Sequence, residues 1–308
     1  MAGQRRGPRL ALLLLAALAA CESPSAAFDE AASRHGFQRL RVAGEGFDHV
    51  VFRKTGAAGP LHVYLESDGR PWLRRWLPAG DPTSRDPLVL DLMARDPAES
   101  VLLGRPCYHG LQDEPRCDAA LWTARRFAPE VVASLATALR NLEQGRGRPV
   151  VLIGHSGGGV LAMLLAARLP QTQAVVTIAA PLDHAAWTSH HGYLPLQGSL
   201  NPVLAPPLPK DVRQLHLAGR QDGVVPPELT SDALARLGAP PPLVVADARH
   251  NDGWAAYWPA VLACLDAPGR LEAMAEADQD QVLLAPGVAE VTAVAGGDGG
   301  SLIECRGE

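Results

Sequence analysis

Residues 150–167 constrain this chain more tightly than any other stretch. Val150-Val151-Leu152-Ile153 is a short run of β-branched and aliphatic residues, the pattern of a fully buried strand. Gly154-His155-Ser156-Gly157-Gly158-Gly159 comes next, and the Ala/Leu-rich run from Val160 to Ala167 predicts a helix. Strand, Gly-x-Ser-x-Gly and helix in that order make a nucleophile elbow. Such a turn strains the backbone of Ser156 and raises its hydroxyl on the tip. Glycine is needed at 154 and 158 because strand and helix start pass too close for a Cβ. The N–H of Gly157 then points where a substrate oxyanion would form. The competing reading of the same residues is a plain Gly-rich strand–helix turn.

Buried strands are predicted at Ser100 to Gly104, Ala174 to Ala180 and Leu243 to Ala246, and a further strand at Val212 to Leu217. Helices are predicted at Leu88 to Ala94, from Phe127 to Gln144, closing at Leu234 to Leu237, and from about Trp254 to Leu265. The second carries Val131, Val132, Leu135, Leu139 and Leu142 at helical spacing and stops at Gly145, a C-cap signal. Strand, helix, strand at this spacing is a βαβ unit, so the sheet is α/β and mostly parallel. His49 to Arg53 and Leu61 to Glu66 read as two strands, and Thr55 to Pro60 between them has hairpin turn chemistry.

A serine nucleophile needs a base and an acid to orient that base. Asp222 stands just past the 212–217 strand, in Ala218-Gly219-Arg220-Gln221-Asp222-Gly223. His250 stands past the 243–246 strand. Ser156, Asp222, His250 is thus a candidate catalytic set in the order Ser…Asp…His, with His109 as a weaker alternative base. The loop Glu66-Ser67-Asp68-Gly69 follows a central strand and is the place for a second oxyanion N–H, assigned to Asp68 with Gly69 second. Tyr108, His109 and Trp122 either line a pocket or belong to a stapled surface loop. Trp72, Trp122 and Trp187 suggest an apolar rim. Residues 181–209 are Pro-rich and polar with no sustained helical pattern, so an irregular lid is expected rather than a large cap. His184, His190 and His191 belong to that loop or its rim.

The amino terminus has a different logic. Arg5, Arg6 and Arg9 precede an apolar run from Leu10 to Ala20 that is too short to span a bilayer as a stable helix, the form of a signal peptide over 1–20. Leu18-Ala19-Ala20-Cys21 resembles the lipobox of bacterial lipoproteins. That resemblance implies cleavage before Cys21 and lipid on its thiol and amine. By analogy with bacterial sorting, Glu22 favours the periplasmic face of the outer membrane. Residues 21–35 read as a lipidated tether, 36–286 as one α/β domain and 287–308 as an extension or hairpin. An exported chain is expected to pair its cysteines. Setting Cys21 aside leaves Cys107, Cys117, Cys264 and Cys305. Cys107 and Cys117 enclose a short loop and are the natural pair, which leaves Cys264 with Cys305. No cysteine spacing matches a zinc site, and no metal or organic cofactor is expected. A net charge of −5 over 308 residues implies no nucleic-acid partner.

Glu66-Ser67-Asp68-Gly69, Arg105-Pro106-Cys107 and Gly154-His155-Ser156-Gly157-Gly158-Gly159 together resemble bacterial α/β-hydrolase-fold lipoproteins of the serine esterase/lipase type. The resemblance spans roughly residues 45–265. It implies an α/β-hydrolase fold, with a mostly parallel central sheet and helices on both faces, and a Ser/Asp/His triad. The serine mechanism and the apolar rim themselves point to a small acyl substrate, an ester or thioester, peptides not excluded. The alternative is a non-catalytic, lipid-anchored envelope binding or scaffold protein that kept the fold.

Overall fold

The computed structural model describes residues 23–74 and 76–266, and beyond them three short strands, Val282–Leu283, Ala293–Ala295 and Ser301–Ile303. Its centre is an eight-stranded sheet. In chain order the strands are β1 (Gln38–Ala43), β2 (Asp48–Lys54), β3 (Ala57–Leu65), β6 (Ala98–Leu103), β7 (Val150–His155), β8 (Thr172–Ile178), β9 (Arg213–Gly219) and β10 (Leu243–Val245). In space they lie in the order β1-β2-β6-β3-β7-β8-β9-β10. β2 runs antiparallel to β1 and β6, and the strands from β6 to β10 are all parallel. A two-stranded ribbon, β4 (Trp72–Arg74) and β5 (Leu77–Pro78), stands apart from the sheet.

Period-two alternation sends each strand's side chains to two cores. Val150 and Leu152 of β7 join one, with Leu61, Val63 and Leu65 of β3. Val151, Ile153 and Tyr64 join the other. The first core is closed by helices α3 (Pro129–Leu142), α4 (Gly157–Ala166) and α6 (Pro227–Leu237). The second is closed by α1 (Pro24–Arg34), α2 (Leu88–Arg95) and α7 (Trp258–Asp266). Every residue of α4 is buried, which is why its sequence is apolar all round.

Several expectations need correction. β2 and β3 do not form a hairpin, because β6 lies between them and pairs with both. Gly56 is required not by a turn but by close approach, since a Cβ there would meet the Ala98 backbone. Residues 24–34, expected within a tether, are helix α1, capped by Ser23 and held by Phe28, which is 1% exposed between core side chains. The lid carries a helix after all: α5 (His184–His191) starts on the Asp183 carboxylate, which accepts from the Ala185 and Ala186 N–H groups, and ends at Gly192 in the left-handed region. In the tail, Ala293–Ala295 pairs antiparallel with Ser301–Ile303. Cys107 and Cys117 are disulfide-bonded. Cys264 is also disulfide-bonded. Cys305, its expected partner, lies outside the described residues, as do the leader and Cys21.

Candidate active site

β7 ends at His155 and α4 begins at Gly157, leaving one residue to turn the chain. Ser156 does so at φ 53°, ψ −123°, a conformation that costs an L-residue on the order of 1–3 kcal/mol. Its N–H donates to the Ile178 carbonyl at 2.8 Å, so the strained residue is tied to β8. The turn closes because Gly154 lies directly against the Gly158 carbonyl and Gly158 against the Leu65 carbonyl.

The loops after β9 and β10 bring Asp222 and His250 to the serine. Those loops are cross-tied: Arg220 N–H donates to the Val245 carbonyl at 3.0 Å and Gln221 N–H to the Ala248 carbonyl at 3.1 Å. His250 Nε2 lies 3.0 Å from Ser156 Oγ, and His250 Nδ1 lies 2.9 Å from Asp222 Oδ2. Asp222 is fully enclosed. Its other oxygen accepts the N–H groups of Val224 at 2.7 Å and Val225 at 2.9 Å. The acid is therefore fixed before it orients the imidazole.

His155 holds the base from behind. Its Nε2 donates to the His250 carbonyl at 2.7 Å, which also accepts from Trp254 Nε1 at 3.1 Å. Burial, aided by His250 close by, pushes His155 down to about 3, so it is neutral and carries its proton on Nε2. This role is not legible in the sequence, since a histidine beside a nucleophile carries no periodic signal.

The loop after β3 uses most of its own N–H groups internally. Ser67 N–H meets Glu66 Oε1 at 3.0 Å, Gly69 N–H meets Ser67 Oγ at 3.2 Å, and Arg70 N–H meets the Pro82 carbonyl at 2.8 Å. Asp68 N–H meets no acceptor among the described residues. Gly69, the second candidate donor, is thus already engaged, and Asp68 is left with Gly157, whose N–H opens α4 and has no helical carbonyl to meet.

The Asp68 carboxylate lies against Gly157, where it would oppose a developing anion if left uncompensated. Two arginines compensate it. Arg105 Nη2 is 2.7 Å from Oδ1 and Arg126 Nη1 is 2.7 Å from Oδ2. The Arg105 contact is an ion pair without hydrogen-bond alignment, and its guanidinium packs between the rings of Tyr108 and Phe127 at 5.8 and 5.4 Å. Burial acts to raise the Asp68 carboxyl, but Arg126 and Arg105 outweigh it and hold it below its ordinary 3.8. Arg126 went unrecognised in the sequence because arginine is rarely buried without a partner, and its partner is 58 residues away.

Tyr108, His109 and Trp122 are all buried. Tyr108 Oη donates to the Asp68 carbonyl at 3.0 Å, and Trp122 Nε1 to the Ala79 carbonyl at 3.1 Å. His109 is packed against Phe28 and Phe52, away from Ser156, and burial lowers it to about 3. It is not a base for this serine. His184 is tied to the Leu200 carbonyl, while His191 donates to the Val224 carbonyl beside Tyr193. Among the described residues, no three His, Cys, Asp or Glu side chains gather as a metal ligand set.

Comparison with known proteins places the architecture. No protein-family model matches the chain, and no curated protein matches it. Solved structures do. A bacterial membrane phospholipase A superposes with a TM-score of 0.50 at 16% identity, covering 83% of this chain and 98% of that one. An esterase of Pyrococcus furiosus superposes with a TM-score of 0.51 at 11% identity, covering 77% and 92%. An acylaminoacyl peptidase reaches 0.53 at 12% identity, covering 75% of this chain and 41% of its own. The fold is that of the α/β hydrolases, as the strand order and parallel sheet also require.

Proposed function

We propose that the chain is a serine hydrolase that cleaves carboxylic esters or thioesters through an acyl-enzyme on Ser156. The observation that carries this reading is the unbroken chain from Ser156 Oγ to His250 to Asp222, at 3.0 and 2.9 Å, on a strained elbow. That geometry serves nucleophilic catalysis, and the solved structures of this fold include an esterase, a phospholipase and a peptidase.

The steps follow from the contacts. His250 Nε2 takes the Ser156 hydroxyl proton as Oγ attacks the acyl carbon. Asp222 keeps the other imidazole proton on Nδ1 and stabilises the imidazolium. The new oxyanion accepts hydrogen bonds from the Gly157 and Asp68 N–H groups, each worth on the order of 3 kcal/mol of barrier. The tetrahedral centre collapses, and His250 returns the proton to the leaving alkoxide or thiolate. Water repeats the sequence on the acyl-enzyme, releasing the acid and free Ser156.

A panel of p-nitrophenyl esters of graded acyl length tests this. The wild-type chain should hydrolyse part of the panel, and Ser156→Ala should lose at least about a thousandfold in kcat/KM. Equal rates in the two proteins would overturn the proposal. The leader supports an envelope location with lipid on Cys21. Radiolabelled palmitate should enter the wild-type chain and not Cys21→Ser, and equal labelling would refute that anchor.

A further inference from the structure

The β4–β5 ribbon exposes apolar side chains that a water-facing surface does not need. Leu73 is 50% exposed, Trp76 71% and Leu77 41%. Arg70 and Arg74 are exposed on the same segment, and Arg75 adds a third cation in the sequence. Indole and leucine at a tip flanked by arginines is the composition of an element that enters the headgroup layer of an anionic bilayer. Singly exposed apolar residues need no explanation, but a contiguous group does.

The ribbon is placed where such contact would matter. Its base is closed by the Ala79 N–H on the Pro71 carbonyl, and Arg70 is tied to Pro82, so it continues directly from the Asp68 loop. That loop leaves the carboxyl end of β3. Asp222 leaves the carboxyl end of β9, parallel to β3 in the same sheet, so both stand at one edge. On the Asp222 side, Val224 is 42% exposed, and Trp187 and His191 both donate to its carbonyl. Tyr193 and Leu194 there are exposed as well. Apolar groups therefore flank Ser156 on both sides.

The first described residues of the chain lie beside the ribbon. Ser25 N–H and Oγ both donate to Asp81 Oδ2, at 2.9 and 2.7 Å, and Asp81 is three residues past the end of β5. Cys21 is four residues before Ser25, a reach of at most about 14 Å. α1 itself begins at Pro24. A lipid on Cys21 would hold this edge, not another, against the membrane.

We infer that the Trp72–Pro78 ribbon docks on an anionic phospholipid surface and sets the Ser156 edge of the sheet against the bilayer. The inference deepens the hydrolase reading and rests on it only for what the docked serine meets, an ester carried by a membrane lipid.

Flotation of the processed chain, with Cys21→Ser to remove any lipid anchor, tests the contact. Vesicles of phosphatidylethanolamine and phosphatidylglycerol should carry the protein up, and vesicles of phosphatidylcholine alone should carry much less. Leu73→Ser with Trp76→Ser should lower the partition coefficient at least about tenfold. Arg70→Gln with Arg74→Gln should abolish the preference for the anionic vesicles. Ser156→Ala should float like its parent, so loss of hydrolysis and loss of docking are read separately. Near-ultraviolet circular dichroism unchanged from the parent shows that each variant is folded. Failure of the parent chain to float, or equal flotation of the Leu73/Trp76 variant, would overturn the inference. So would a concentration-dependent dimer that the same two substitutions abolish, since the occupant would then be a second copy.

Discussion

Asp68→Asn removes one charge from a cluster in which a single carboxylate serves two enclosed guanidinium groups. Arg105 is 3% exposed and Arg126 5%. Each is 2.7 Å from an Asp68 oxygen. Breaking a buried pair costs about 3–5 kcal/mol, because the remaining charge stays desolvated. Asparagine keeps one acceptor oxygen, worth about 1 kcal/mol, so the expected loss is about 2–4 kcal/mol. Urea unfolding at neutral pH, followed by tryptophan fluorescence, measures it. The pH dependence is diagnostic. Asp68 has a depressed folded-state pKa, so its stabilisation is present above the ordinary 3.8 and is lost as pH falls through the lower folded value. The stability gap between wild type and Asp68→Asn should be constant from about pH 5 upward and close below 3.8. Equal midpoints at neutral pH, or a gap that widens in acid, would refute the assignment of both arginines to this carboxylate.

Glu66 should show the opposite dependence. Burial raises its carboxyl to about 7, against the pull of the Ser67 hydrogen bonds. Its contribution is then full below 4.5 and lost as pH rises through about 7. Glu66→Gln should therefore gain on wild type across that window, by at most about 3 kcal/mol, and a pH-independent difference would contradict this. Gly154→Ala should cost about 2 kcal/mol or more in urea unfolding and lower kcat, because the new Cβ meets the Gly158 backbone at the foot of the elbow. Unchanged turnover would show that the elbow tolerates the displacement. Cys107→Ser with Cys117→Ser opens a loop of sequence separation 10, for an expected loss of about 3 kcal/mol by the same unfolding measurement.

Local signals carried most of the site. The β7 run, the glycines of the elbow and the all-apolar α4 lie within eighteen consecutive residues, and their conformation is dictated by close backbone approach. Asp222 and His250 were readable because each stands just past a predicted strand, 212–217 and 243–246, in the chain order Ser…Asp…His. What stayed hidden depended on distant partners. The order of β2, β6 and β3 is set by pairings across about forty to fifty residues, so a Gly-rich link between two strands looks like a hairpin turn. Helix α1 reads as a tether in the sequence because only four of its residues, Ser25, Phe28, Ala31 and Ala32, are buried, and two of those are alanine. The N-cap Asp183 and the stop at Gly192 are the sequence marks of α5, while the periodicity between them is weak. His155 and Arg126 act through a carbonyl or carboxylate far along the chain, which no spacing rule encodes.

The most direct measurement is covalent. A fluorophosphonate probe reacts with a serine only where a base takes its proton and N–H groups hold the phosphoryl oxygen. Intact-mass analysis and peptide mapping of the labelled protein should show one adduct per chain, on Ser156, with labelling lost in Ser156→Ala and strongly slowed in His250→Ala. Labelling of wild type no greater than that of Ser156→Ala would contradict the assignment of Ser156 as an activated nucleophile.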